Sequence, residues 1–353
     1  MFGRRAPRVP RTRGPAAGAM PPRSTAAEAA GAGPPPWRPW DPPGTMAAVP
    51  RLRAVVTDLD NTLYPWVDYI VPSLEAMVES LVSTTGLPRI RIVQSLKEVY
   101  TRYESNEYPF AIQESDIFQP YEGDFDSFNK LVVDPARRAF KQARERYLRP
   151  YPGVPETLEW IRERGLTLVA LSDAPRNAAE LRLKWLGLDG HFDALYTLPG
   201  YSLPKNVDPE IRRREEAGHY RSRTPVRELP REAEKPSPEG LRRILADFRL
   251  RGEEVVYVGD NVMKDMPVAR ACGALGVWAE YGTYVSAEYR ERLAVISAKS
   301  VTRRHVAEEV PLRWPLALSS FTQVRDVVEG ARWTRPAAAL RRAARRPRRR
   351  GRP

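Results

Sequence analysis

The chain has 353 residues, 42% of them hydrophobic, which is enough for one large core or two modest ones. A formal charge of +13 suggests a nucleic-acid footprint, but the charge sits at the ends: residues 1–50 carry seven Arg against two acids, residues 331–353 carry ten Arg and no acid, and the stretch between them nets −2. That distribution speaks against specific nucleic-acid binding, no apolar run is long enough to span a bilayer, and the one cysteine, Cys272, excludes an internal disulfide framework and fits a reducing, cytoplasmic setting.

In chain order, residues 1–50 are Pro-, Ala-, Gly- and Arg-rich without apolar periodicity, and are expected to be disordered. Met46 lies just before the first strand and is a candidate start of translation. A transit peptide is the rival reading, but the prolines oppose the amphipathic helix it needs. The short β-branched run Leu52 to Thr57 predicts a buried strand. From Trp66 to Leu148 the pattern turns helical. "VPSLEAMVESLVSTTG", "IRIVQSLKEVYTRYES" and "PARRAFKQARERYL" place apolar residues three and four apart.

Beyond this block, "VPETLEWIRERG" predicts a helix ended by Gly165, "LTLVALS" a strand, "PRNAAELRLKWLGL" a helix and "FDALYT" a short strand. Residues 200–232 are charged and broken by prolines, which predicts a long loop or lid. "SPEGLRRILADFRL" predicts a helix capped by Ser237, "EVVYVGD" a strand, "DMPVARACGALG" a helix and "VWAEYG" a further strand. "PLALSSFTQVRDVV" is expected to close the core, and residues 331–353 to form a basic disordered tail.

Alternating strands and helices predict an α/β fold, a three-layer Rossmann-like core around a parallel sheet. That core is expected over residues 51–65 and 149–330, with 66–148 as an inserted helical cap. The C-terminal ends of such strands line the ligand crevice. Three of them end in polar residues: Asp58 and Asp60 in "DLDNTLYP", Ser172 in "LSDAP", and Asp260 and Asp265 in "GDNVMKD". Lys235 precedes Pro236 between the last two. Singly, each is an ordinary turn aspartate, strand-end serine or surface lysine. Together they suit one reaction, because carboxylates two apart on an extended chain share a side and can divide the work of ionised and proton-carrying groups.

The ordered set "DLDNTLYP", "LSDAP", "EKPSPEGL" and "VGDNVMKD" resembles the four motifs of the haloacid dehalogenase superfamily, over roughly residues 52–285. "DNTLYP" is similar to the opening of its nucleotidase-like and phosphoglycolate-phosphatase-like members. The resemblance implies a phosphatase acting on a small phosphomonoester of the nucleoside monophosphate or sugar phosphate class. It implies Mg²⁺ held by Asp58, Asp260 and the main-chain carbonyl of Asp60, with Asp265 acting through water or by orienting Lys235. Asp58 would be the nucleophile and Asp60 the acid and base. Ser172 and Lys235 would hold phosphoryl oxygens, with Thr62 at the phosphate end of the site supporting Asp60. Lys205, in "LPKNVDP", lies nearer the family's usual spacing and rivals Lys235. A phosphomutase of the same fold and a non-catalytic regulatory relative are the alternatives, and the oligomeric state is left open. Among other features, the aromatics of "YTRYESNEYPF" are expected to be packing residues rather than a base-stacking platform, and His191, His219 and His305 have no metal-ligand spacing.

Overall fold

The computed structural model describes residues 52–117, 124–203, 212–213, 216–218, 221–297 and 314–330. The expected disordered ends, Met46, Lys205, His219 and His305 lie outside these residues.

Six strands form one parallel sheet: β1 Ala54–Thr57, β2 Thr167–Pro175, β3 Ala194–Leu198, β4 Val226–Glu228, β5 Val255–Gly259 and β6 Leu275–Trp278. Their order is β4-β3-β2-β1-β5-β6. β1 is central because its residues Ala54 to Thr57 are all buried, which suits a β-branched run with no polar face to offer water. Successive side chains alternate between two apolar layers. Val55, Leu168, Ala170, Val256 and Val258 face one side, and Ala54, Val56, Val169, Leu171 and Tyr257 face the other.

Helices cover both faces. α4 (Val154–Glu163) and α5 (Arg176–Trp185) bring Leu158, Ile161, Ala179 and Leu183 to the first layer. α6 (Glu239–Asp247) and α7 (Asp265–Ala271) bring Leu241, Ile244, Met266 and Val268 to the second. Between β1 and α4 the chain forms α1 (Trp66–Thr85), α2 (Arg89–Tyr103) and α3 (Asp134–Tyr147). α1 ends at Gly86, whose φ of 70° places it in the left-handed region where its N–H closes on Val82 O. α8 (Ala287–Ile296) packs against α1 and α2, with Arg292 paired to Glu75 and Lys97 Nζ donating to Ala294 O at 2.9 Å. The closing segment pairs Ala317 with Trp278 and ends in α9 (Val324–Val328). No helix among the described residues is long and apolar enough to cross a membrane.

Three expectations need correction. The stretch 200–232 is not all loop: Val226–Glu228 is the edge strand β4, registered with Leu195 to Thr197 of β3. "VRE" has a single apolar residue, and an edge strand with an exposed flank tolerates such a sequence. The helix expected to be capped by Ser237 begins at Glu239, with Pro238 at the cap position. α8 has no counterpart among the expected elements; it presents few buried residues, chiefly Leu293 and Ile296, so its periodicity is faint.

Candidate active site

The registers Thr57↔Ala170 and Thr57↔Val258 bring the C-terminal ends of β1 and β5 to one edge of the sheet, where β2 runs on past them to Pro175. Asp58 therefore emerges between the turn after β2 and Asp260. Its N–H donates to Val258 O at 2.8 Å, which fixes the start of the loop. The loop then doubles back through Asn61, at φ 57°, whose side-chain oxygen accepts from Trp66 N–H at 3.0 Å. Gly282 lies against this turn so closely that a Cβ there would sit 1.7 Å from Asn61 O, so only glycine fits.

Asp58 Oδ2 lies 2.9 Å from Lys235 Nζ, and the same ammonium donates to Asp265 Oδ1 at 2.8 Å. Lys235 is only 4% exposed, and its main-chain N–H donates to Asp173 Oδ1 at 3.0 Å, so both ends of the residue are anchored. Burial alone would lower its pKa, but the Asp265 and Asp58 carboxylates outweigh burial and hold it well above the usual lysine range. Asp265 is completed by Tyr257 OH at 3.0 Å and Asn261 N–H at 3.0 Å. It reaches this position beneath Gly259, where a Cβ would meet Asp265 Cγ at 2.4 Å.

Carboxylate oxygens of Asp58, Asp260 and Asp265 all lie within 4.8 Å of one another. Burial pushes Asp58 up to about 7, against the pull of Lys235, and burial beside Asp58 and Asp265 raises Asp260 well above the carboxylate range. Crowded, desolvated hard oxygens of this kind fit a divalent cation. Asp265 is already occupied by Lys235, Tyr257 and Asn261, so Asp58 and Asp260 are the side chains suited to hold it directly.

Asp60 is held apart from this group. Tyr64 OH donates to its Oδ1 at 2.7 Å, and Arg182 Nη2 donates to its Oδ2 at 3.2 Å. Burial raises its pKa, against the opposing effect of the Arg182 charge. Arg182, on α5, is wholly buried and also pairs with Glu107, which accepts in turn from Trp66 Nε1 at 3.1 Å and from Tyr69 OH. Sequence reasoning missed Arg182, because an arginine in "AELRLKWLGL" looks like the solvent side of an amphipathic helix. Also missed were Asp173, inside the quoted "LSDAP", and Lys264, which lies 3.3 Å from Asp173 and 3.6 Å from Glu234.

Thr62 and Ser172 have neighbours that the sequence does not indicate. Thr62 Oγ1 faces Asp260 Oδ1 at 3.5 Å rather than Asp60, whose support comes from Tyr64 and Arg182. Ser172 is buried within β2, and its Oγ accepts from Ala174 N–H at 3.1 Å.

Residues 52–273 match the family model of haloacid dehalogenase-like hydrolases. The chain belongs to this family. Among haloacid dehalogenase-like relatives, the glyceraldehyde 3-phosphate phosphatase of Methanopyrus kandleri is 28% identical over 68% of this chain and 88% of its own. The phosphoglycolate phosphatase of Neisseria gonorrhoeae is 26% identical over 67% of this chain and 83% of its own. The solved haloacid dehalogenase-type phosphatase of Thermococcus onnurineus aligns over 79% of this chain and 99% of its own at 18% identity, with a TM-score of 0.44.

Proposed function

We propose that this hydrolase cleaves small phosphomonoesters, with Mg²⁺ at the Asp58–Asp260 pair and Asp58 as a covalent nucleophile. The observation that carries the reading is the 2.9 Å approach of Lys235 Nζ to Asp58 Oδ2 beside Asp260, at the C-terminal edge of the central strand. Its relatives' names place their substrates among small phosphate esters. Cys272 is a free thiol, which keeps a cytoplasmic location part of this proposal.

A bound Mg²⁺ would offset the repulsion between a phosphate dianion and a carboxylate and draw charge from the phosphoryl oxygens. Lys235, held by Asp265, places a fixed positive charge against the same oxygens. A carboxylate oxygen of Asp58 attacks phosphorus in line as the bond from phosphorus to the ester oxygen breaks, leaving a phosphate on Asp58. Asp60, protonated, gives its proton to the departing oxygen. The resulting Asp60 carboxylate then takes a proton from water, whose oxygen attacks phosphorus and frees inorganic phosphate and Asp58. Burial, which favours the neutral form of Asp60, suits it to the first of these steps.

The test is a screen of sugar phosphates, nucleoside monophosphates, glyceraldehyde 3-phosphate and phosphoglycolate with and without Mg²⁺, following phosphate release. Mg²⁺-dependent release from at least one is expected. Isomerisation of a sugar phosphate without release would mean a phosphomutase, and binding without any turnover would mean a regulatory protein.

A further inference from the structure

Resting on the phosphatase reading, we propose that Glu107, in the helical insert between β1 and α4, is a positioning residue for the Asp60 acid and acts on it through Arg182. Protonation of the leaving group is thereby tied to the placement of the insert against the sheet.

Asp60 follows β1, Arg182 lies on α5 and Glu107 follows α2, so three separate parts of the chain meet at one guanidinium. All three residues line the cleft. Arg182 Nη2 donates to Asp60 Oδ2 at 3.2 Å, while its Nη1 donates to Glu107 Oε2. A guanidinium is a rigid plane, so the place of one carboxylate sets the direction offered to the other. Glu107 is itself anchored independently of Asp60. Trp66 Nε1 donates to its Oε2 at 3.1 Å and Tyr69 OH donates to its Oε1, and both donors stand in the first turn of α1.

With Oδ2 held by Arg182, the Asp60 carboxyl turns its other oxygen, Oδ1, to the ester. Tyr64 OH lies 2.7 Å from Oδ1, and a phenolic hydroxyl accepts as well as donates, so Oδ1 is the oxygen suited to carry the proton that is given away. Transfer needs that proton within hydrogen-bond reach of the departing oxygen, and an acid that swings free loses the geometry. A pair that only held the insert in place would affect all esters alike. Glu107 acting through Arg182 matters most where the departing oxygen needs its proton.

The test compares two esters of similar shape, p-nitrophenyl phosphate and phenyl phosphate, using the full chain with Mg²⁺. Nitrophenolate departs readily as an anion, whereas phenolate is a stronger base and gains more from protonation. kcat/KM covers the steps up to departure of the phenol and leaves out hydrolysis of the phosphate on Asp58. Glu107→Gln keeps the size of the side chain and removes the charge that Arg182 holds. It is expected to lower kcat/KM by about tenfold or more for phenyl phosphate and by less than about threefold for p-nitrophenyl phosphate. With the latter ester kcat and KM should fall together, because Asp60 also activates the water of the second step. Arg182→Lys should show the same split, since an ammonium is a point charge and not a fork that bridges two carboxylates. Each split is a ratio within one preparation, so a partly unfolded variant still reports it. Equal losses on the two esters, or no loss on either, would overturn the inference and leave the phosphatase reading intact. No Mg²⁺-dependent release of phosphate from either ester by the parent chain would overturn both.

Discussion

Arg182 Nη2 donates to Asp60 Oδ2 at 3.2 Å from a position with no exposure to solvent, and its other arm holds Glu107. A guanidinium suits this bridge because its planar fork serves two carboxylates at once. Removing it leaves two largely buried carboxylates without their counter-ion, each held only by neutral donors among the described residues. Arg182→Met is therefore expected to cost about 3–5 kcal/mol of stability, the usual result of breaking a buried pair from one side. Adding Glu107→Gln should recover part of the loss, since it removes one of the stranded charges. A denaturation double-mutant cycle measures both effects, and a single variant within about 0.5 kcal/mol of the parent would show that the bridge contributes nothing.

Asp58→Asn keeps the shape of the side chain and an oxygen for Lys235 while removing the nucleophilic charge. Turnover is expected to fall by roughly four orders of magnitude or more, with the melting transition retained. In the parent enzyme, acid quenching during turnover should trap phosphate on the peptide that contains Asp58. Phosphate trapped on another residue, or near-normal turnover by the Asp58→Asn variant, rules out the proposed covalent route.

The parts of the fold that are legible in the sequence are those whose neighbours are apolar. β1 and β5 are short β-branched runs and β2 opens on the apolar run Leu168 to Leu171, and the structure places the three side by side in the sheet. β4 is not legible, because an edge strand is recognised by its pairing partner and not by its own three residues. In the site, Asp58, Lys235, Asp260 and Asp265 are legible as a set because each follows a strand or opens or precedes a helix. Arg182 and Glu107 are not, because their link spans 75 positions and neither sits at a strand end. The family resemblance implies that Thr62 supports Asp60, and after the turn at Asn61 its Oγ1 also faces Asp260 Oδ1 at 3.5 Å.

Burial raises the Asp58 pKa to about 7 in the metal-free protein, far above that of an unfolded aspartate. A group raised in this way favours the folded state while protonated, and that contribution is lost as pH rises through about 7. A divalent cation needs the ionised carboxylate, so its binding should be weak at low pH and should offset the loss at high pH. The rise in melting temperature produced by saturating Mg²⁺ is therefore expected to be small at about pH 5.5 and larger at about pH 8. Thermal melts at the two pH values, with EDTA and with Mg²⁺, make the comparison. An equal shift at both would place the metal away from Asp58.

The last prediction separates Lys235 from Lys205. Lys235 Nζ lies between Asp58 and Asp265, its main chain is tied to Asp173, and it is buried. In the proposed mechanism it faces the phosphoryl oxygens as charge builds on them, and a fixed donor in such a place contributes mainly to the transition state. Lys235→Ala should lower kcat/KM by about two orders of magnitude or more. It also leaves Asp58 and Asp265 facing each other without the ammonium, so folding must be confirmed by circular dichroism and the comparison made at saturating Mg²⁺. Lys205 belongs to the charged stretch after Leu203 and lies outside the described residues, so its case rests on spacing alone. Lys205→Ala is expected to change kinetics a few-fold at most, as a substitution away from the reacting atoms does. The opposite pattern, a dead Lys205→Ala and an active Lys235→Ala, would mean that the Lys235–Asp265 pair shapes the site without touching phosphate, and the role of fixed cation would pass to Lys205.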